Sequence, residues 1–106
     1  MKTYKIVVYV PVTAGEAVRS AMGEAGAGRI GNYDYCSFTV VGTGRFRPLA
    51  GANPAIGAVG RIEAVEEERI ETVCAADRLR PVLAAIRAAH PYEEPAIDVY
   101  PIEEVD

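Results

Sequence analysis

The single histidine of the chain, His90, opens the run His90-Pro91-Tyr92-Glu93-Glu94-Pro95. An imidazole followed by carboxylates three and four residues on offers nitrogen and oxygen donors of the kind zinc or copper takes. His90, Glu93 and Glu94 are therefore candidate ligands for a divalent metal. A closed site would need two further donors, from Cys36 or from another subunit. The same residues have a simpler reading. A histidine at a helix C-terminus is favoured by the helix dipole and can bond free carbonyls there, and Tyr92-Glu93 between two prolines makes a stiff turn that aims the following strand.

A second group lies in the middle of the chain. Arg45 and Arg47 flank Phe46 and follow Gly42-Thr43-Gly44. Two guanidinium groups beside glycines suit a phosphate or another small anion. The segment lacks the lysine of a P-loop and opens no helix, so glycines in a twisting hairpin account for its composition equally well. No Ser–His–Asp order, Cys–His pair or paired buried carboxylates stand out, and the chain reads as non-catalytic.

These residues must be held by regular elements. Residues 4–10 form a dense β-branched and aromatic run closed by Pro11, which predicts a buried strand. Thr13-Ala14-Gly15-Glu16 fits a capping box. Ala17, Val18, Ala21, Met22 and Ala25 then share one helical face, and Gly26 supplies the stop, so a helix is predicted over 15–25. Residues 35–41 have strand composition. A glycine- and proline-bearing stretch, 42–60, follows, with 51–57 as the tip of a hairpin. A strand is predicted over 61–74, where the apolar phase slips at Glu66-Glu67-Glu68; a bulge or a solvent-facing edge would explain the slip. Leu79, Val82, Leu83, Ile86 and Ala89 line one face of a second helix over 78–89, with Asp77 as N-cap and Pro81 in its first turn. Residues 94–102 make the last strand.

The order strand, helix, strand, strand, helix, strand is the split βαβ pattern of ferredoxin-like domains, an α+β fold with both helices on one face of a four-stranded antiparallel sheet. The other face would carry Val7, Tyr9, Ile97 and Val99 with no third layer, and an uncovered apolar face predicts a homo-oligomer. A hairpin centred on Ala55 pairs Gly42 with Glu68, Phe46 with Ala64 and Cys36 with Cys74.

The whole-chain numbers narrow the class. One domain is expected from 106 residues. Fifteen acids against eleven bases give a net charge of −4, which argues against a nucleic-acid binder that neutralises backbone phosphates. Two cysteines are too few for a disulfide framework. No signal-peptide core and no apolar run near the roughly 20 residues of a membrane span occur, so a cytoplasmic protein with reduced thiols is expected.

Two long stretches are specific. The first runs Gly28-Arg29-Ile30-Gly31-Asn32-Tyr33-Asp34-Tyr35-Cys36-Ser37-Phe38 and on through Gly42-Thr43-Gly44-Arg45-Phe46-Arg47-Pro48 to Gly51-Ala52-Asn53-Pro54. The second joins Val65-Glu66, Arg69-Ile70-Glu71 and Cys74 to His90-Pro91-Tyr92-Glu93-Glu94-Pro95-Ala96 and Asp98-Val99-Tyr100-Pro101. Together they resemble the insert domain of the YqfO branch of Nif-three-like proteins over nearly the whole chain, and the His-Pro-Tyr-Glu segment also resembles CutA, the divalent-cation-tolerance protein. The resemblance implies a stand-alone domain of CutA-like and PII-like fold that assembles as a trimer. In PII-like trimers ligands sit between subunits, which adds Asn32, Tyr33, Asp34, Tyr92 and Glu93 as candidate cleft residues. The lobes that hold the dinuclear metal site of full-length Nif-three-like proteins have no counterpart here, so their hydrolase label does not carry over. Two functions follow as expectations: a trimeric binding or regulatory domain for a small anion, or a divalent-metal protein built on His90. A protein partner is a further option, and neither nucleic acid nor membrane is expected.

Overall fold

Isoleucine and valine set the centre of the molecule. In the computed structural model, which describes residues 2–105, strand β1 (Thr3–Pro11) places Ile6, Val8 and Val10 at zero exposure. It lies between β3 (Glu63–Ala75) and β4 (Ile97–Ile102), with β2 (Phe38–Phe46) on the outer side of β3, giving the antiparallel order β2-β3-β1-β4. A strand with two neighbours and a covered face can be apolar at successive positions, and this is why residues 4–10 stood out.

Helices α1 (Gly15–Ala25) and α2 (Leu79–Ala89) pack Val18, Met22, Val82 and Ile86 onto Ile6, Val8, Val10, Ile70 and Cys74. Each fully buried aliphatic side chain contributes about 1.5–3 kcal/mol. Helix α1 ends at Gly26, whose φ of 111° is left-handed; Ala27 N–H then reaches back to Met22 O at 3.0 Å. Arg78 donates through Nε and Nη2 to Ala25 O at 3.0 and 2.7 Å, covering the end of the helix with a cation.

Several expectations change in the folded chain. Neither helix uses the side-chain cap read from sequence: Ala14 and Arg78 are the N-cap residues, and short 3-10 turns, Val12–Ala14 and Ala76–Arg78, occupy the positions given to Thr13 and Asp77. A 3-10 turn leading into a helix already engages backbone donors that a side chain would otherwise cap. Pro81 does sit in the first turn of α2.

Strand β2 starts at Phe38 instead of residue 35, because Tyr35 has φ 57° and breaks the extended chain. It runs on through Gly42 and Gly44 to Phe46, since β3 supplies a continuous partner from Glu71 to Glu63. No bulge interrupts β3; the slip in its pattern marks the place where β1 ends at Pro11, opposite Glu67, and the helices no longer cover the sheet.

The hairpin register is displaced by one residue from the sequence reading. Gly42 faces Glu67, and Phe46 faces Glu63. Cys74 faces Tyr4 across the β1–β3 ladder, while Cys36 precedes β2 and donates its backbone N–H to Gly28 O at 3.0 Å. Both cysteines are free thiols. Burial pushes the Cys74 thiol pKa up; the Arg78 cation opposes this and the Asp77 carboxylate adds to it, each to a smaller extent.

The second sheet face also differs from expectation. Ile97 and Val99 pair with Val8 and Ile6 and pack toward the helices, so they belong to the core side. The open face carries Lys5, Val7, Tyr9, Arg69, Glu71 and Tyr100. Lys5 and Arg69 meet Glu71 at 3.7 and 3.1 Å, and the Arg69 guanidinium lies 5.8 Å from the centre of the Tyr9 ring. Phe38, Val40 and Tyr100 remain at least half exposed. The face is thus amphipathic.

Candidate functional site

Beyond the end of β1, the β2–β3 hairpin projects as an arm, and the molecule measures 48 × 23 × 23 Å along its principal axes. The turn before β4 packs against the inner part of that arm. Both backbone polar groups of Tyr9 hold this turn. Its N–H donates to Ala96 O at 3.1 Å, and its carbonyl accepts from His90 Nε2 at 2.7 Å. His90 Nδ1 accepts the N–H of Tyr92 at 3.1 Å. A carbonyl can only accept and an amide N–H can only donate, so the ring is the neutral tautomer with its hydrogen on Nε2.

His90 therefore fixes the position of Tyr92. The Tyr92 ring lies 5.1 Å from the imidazole and 5.7 Å from Phe46, the latter edge to face. Its hydroxyl donates to Glu67 Oε2 at 3.1 Å. Glu67 is only 9% exposed, and its Oε1 lies over Gly44, where a Cβ would come within 2.0 Å of it. Burial, the hydrogen bond to Glu67 and the charge of that carboxylate raise the Tyr92 pKa to about 12.

Around this pair opens a cleft of about 590 Å³, within the range that holds small molecules. The sheet contributes Tyr9, Gly44, Phe46 and Glu67; the turn contributes Tyr92, Glu93, Glu94 and Ala96. The long loop 47–62 covers it with Pro48, Leu49, Pro54 and Ile56. The Asn53 N–H donates to Glu93 Oε2 at 2.8 Å, which joins the loop to the turn. Loops beyond about 12–15 residues without regular structure are uncommon and often functional.

Arg45, Arg47, Tyr92, Glu93 and Glu94, read from two distant parts of the sequence, thus line one cleft. Asn32, Tyr33 and Asp34 do not. They are exposed at the tip of a tight turn where Ile30 and Tyr33 exchange backbone hydrogen bonds at 2.9 Å. That turn is fastened by Gly28 N–H to Val73 O at 2.7 Å. Val73 lies eight positions along β3 from Val65, the partner of Gly44, a separation of about 26 Å at the rise of a strand.

The metal donors do not converge either. Both His90 ring nitrogens are committed to backbone groups and one Glu93 oxygen to Asn53. Among the described residues no three His, Cys, Asp or Glu side chains gather as metal ligands. A divalent metal therefore does not fit the donor set that the described residues of one chain offer.

Glu67 and Tyr9 are not marked as site residues by the sequence; Tyr9 is expected only on the uncovered sheet face. The run Glu66-Glu67-Glu68 reads in sequence only as a phase slip at a bulge or a solvent-facing edge, and the β1–β3 ladder tells which of the three faces the cleft.

A four-stranded β2-β3-β1-β4 sheet with two helices on one face is the ferredoxin-like α+β fold in its CutA form. Solved structures agree: the periplasmic divalent cation tolerance protein CutA from Archaeoglobus fulgidus superimposes with a TM-score of 0.70 at 20% identity, covering 97% of this chain and 86% of that one. No family model matches the sequence. The chain is a close relative of one segment of the Nif3-related proteins. It is 54% identical over 99 residues to a GTP cyclohydrolase 1 type 2 homolog of Halalkalibacterium halodurans, covering 93% of this chain and 27% of the relative. It is 57% identical over 96 residues to the Mycobacterium tuberculosis protein of the same name, covering 91% and 25%. A Bacillus cereus protein related to NIF3 superimposes with a TM-score of 0.85 at 50% identity, over 97% of this chain and 26% of that one. The chain spans about a quarter of the length of these relatives.

Proposed function

We propose that this chain is a non-catalytic binding module of a CutA-like homo-oligomer, most simply a trimer, and that the cleft between the hairpin arm and the turn before β4 takes a small ligand bearing an anionic group. The observation that carries the reading is the convergence of Arg45, Arg47, Phe46 and Tyr92 on one largely apolar cavity. Both arginines line the cavity and are exposed, and a guanidinium meets a phosphate or carboxylate with several donors. The roof, Leu49 to Ile56, accepts apolar parts of the ligand. The Asn32–Asp34 turn joins such a cleft only from a neighbouring subunit, because within one chain it lies at the far end of β3. The GTP cyclohydrolase name of the longer relatives stays with those proteins.

The test is thermal stabilisation by nucleotides and by inorganic phosphate. A ligand at 100 times its Kd stabilises the folded state by about 2.7 kcal/mol. We expect a saturable rise in Tm that falls in Arg45→Ala and Arg47→Ala, with circular dichroism unchanged. A Tm that no nucleotide or phosphate moves defeats the anion reading.

A further inference from the structure

The cleft contains an acceptor that an anion held by its arginines does not explain. Glu67 is nine-tenths buried, and its Oε2 receives the Tyr92 hydroxyl. Its Oε1 receives no hydrogen bond from any described residue, yet it is not sealed from solvent, since no buried side-chain oxygen among the described residues is left without a partner. That oxygen lies over Gly44, and both residues line the cleft. A carboxylate this far from bulk water is costly unless its acceptor capacity is filled. One donor, Tyr92, leaves at least one oxygen open toward the cavity. Phe46, Leu49 and Ile56 line the same cleft, apolar side chains against which a flat ring packs.

We propose that the Glu67–Tyr92 pair is the recognition element of the cleft, and that it selects a planar ring carrying an amidine-like edge, two N–H groups side by side, which donate to the Glu67 carboxylate while the ring lies against Phe46 and Ile56. The inference rests on the cleft being a ligand site and assigns the part of the ligand that lies beside Glu67. The Tyr92 hydroxyl keeps Glu67 Oε2 oriented, and Gly44 is small so that the carboxylate can lie across the neighbouring strand. Glu93 and Glu94 at the rim add negative charge on the approach to this end.

The probe is benzamidine, a flat ring with this donor edge and no anionic group, compared with benzoate, the same ring with acceptors only. Amide chemical shifts of the 15N-labelled protein report where each binds. We expect benzamidine to perturb Gly44, Phe46, Glu67 and Tyr92 saturably, Glu67→Gln to weaken it at least tenfold with the rest of the spectrum preserved, and Tyr92→Phe to weaken it by a smaller factor. If Glu67→Gln does not fold, Tyr92→Phe carries the test. Benzoate perturbing the same amides as strongly as benzamidine would overturn the donor-edge assignment and leave the anion cleft standing. Benzamidine leaving these amides unmoved, or binding Glu67→Gln equally well, would overturn it too. If phosphate and nucleotides also leave the cleft amides unmoved, the cleft reading falls with it; amides already protected by a second copy would show that the cavity is an interface between subunits.

Discussion

At the scale of single residues, His90 illustrates how one side chain passes from metal candidate to structural anchor. Its two ring nitrogens satisfy a carbonyl and an amide N–H, and it fixes the residue that carries the chemistry, Tyr92. The Tyr92 phenol also makes a prediction about pH. Its folded pKa of about 12 lies above the ordinary value of 10, so the folded state holds the proton more tightly than the unfolded one. The stability from this difference is complete below pH 10 and is lost as pH rises from 10 to 12. Urea midpoints measured across that range should fall less steeply in Tyr92→Phe than in the parent chain, because the variant has no proton there to lose. Parallel slopes would mean that the phenol is not held by Glu67.

Elements decide where such residues meet. The turn that presents Asn32–Asp34 depends on Gly28, which has φ 81° and whose added Cβ would lie 2.6 Å from both N and O of Cys36. These are backbone atoms with little room to yield. Gly31, at φ 56°, has open space around it. Gly31→Ala should therefore cost only the backbone penalty of about 1–2 kcal/mol, whereas Gly28→Ala should cost clearly more and loosen the attachment of the turn to β3. Chemical denaturation of the two variants, with amide exchange at Cys36, measures the difference; equal costs would show that the 26–37 segment rearranges freely. In the same way the β1–β3 ladder, which sets Ile70 opposite Val8 on the helix side and Glu67 opposite Pro11 on the open side, decides that Glu67, and not Glu68, enters the cleft. Glu68 falls on the helix side, where its carboxylate meets Arg19 Nη1 at 2.6 Å.

For the whole molecule, the half-exposed Phe38, Val40 and Tyr100 on the open sheet face, beside ion pairs of both signs, form a surface that is neither a core nor fully polar. Such a mixture suits contact between folded copies, and it agrees with the proposed trimer. Native mass spectrometry should give three times the 11.3 kDa chain mass, and Phe38→Glu should shift the population toward the monomer while leaving the far-ultraviolet circular dichroism intact. A parent chain that runs as a monomer at micromolar concentration would remove the trimer from the proposed function.

The element order, the bounds of α1, the burial of β1 and the ferredoxin-like class are legible in the residues alone, because helical and strand periodicities are local and glycine and proline mark their ends. It also marked Arg45, Arg47, Tyr92, Glu93 and Glu94 as residues of interest. Pairing is fixed only in the folded chain. The hairpin register, the side of the sheet on which Ile97 and Val99 lie, the use of His90 as a backbone anchor and the entry of Glu67 into the cleft all depend on contacts between residues far apart in the chain. A shift of one residue in an antiparallel ladder leaves every local propensity unchanged while it reverses which side chains share a face, and no local pattern in Glu66-Glu67-Glu68 carries that information.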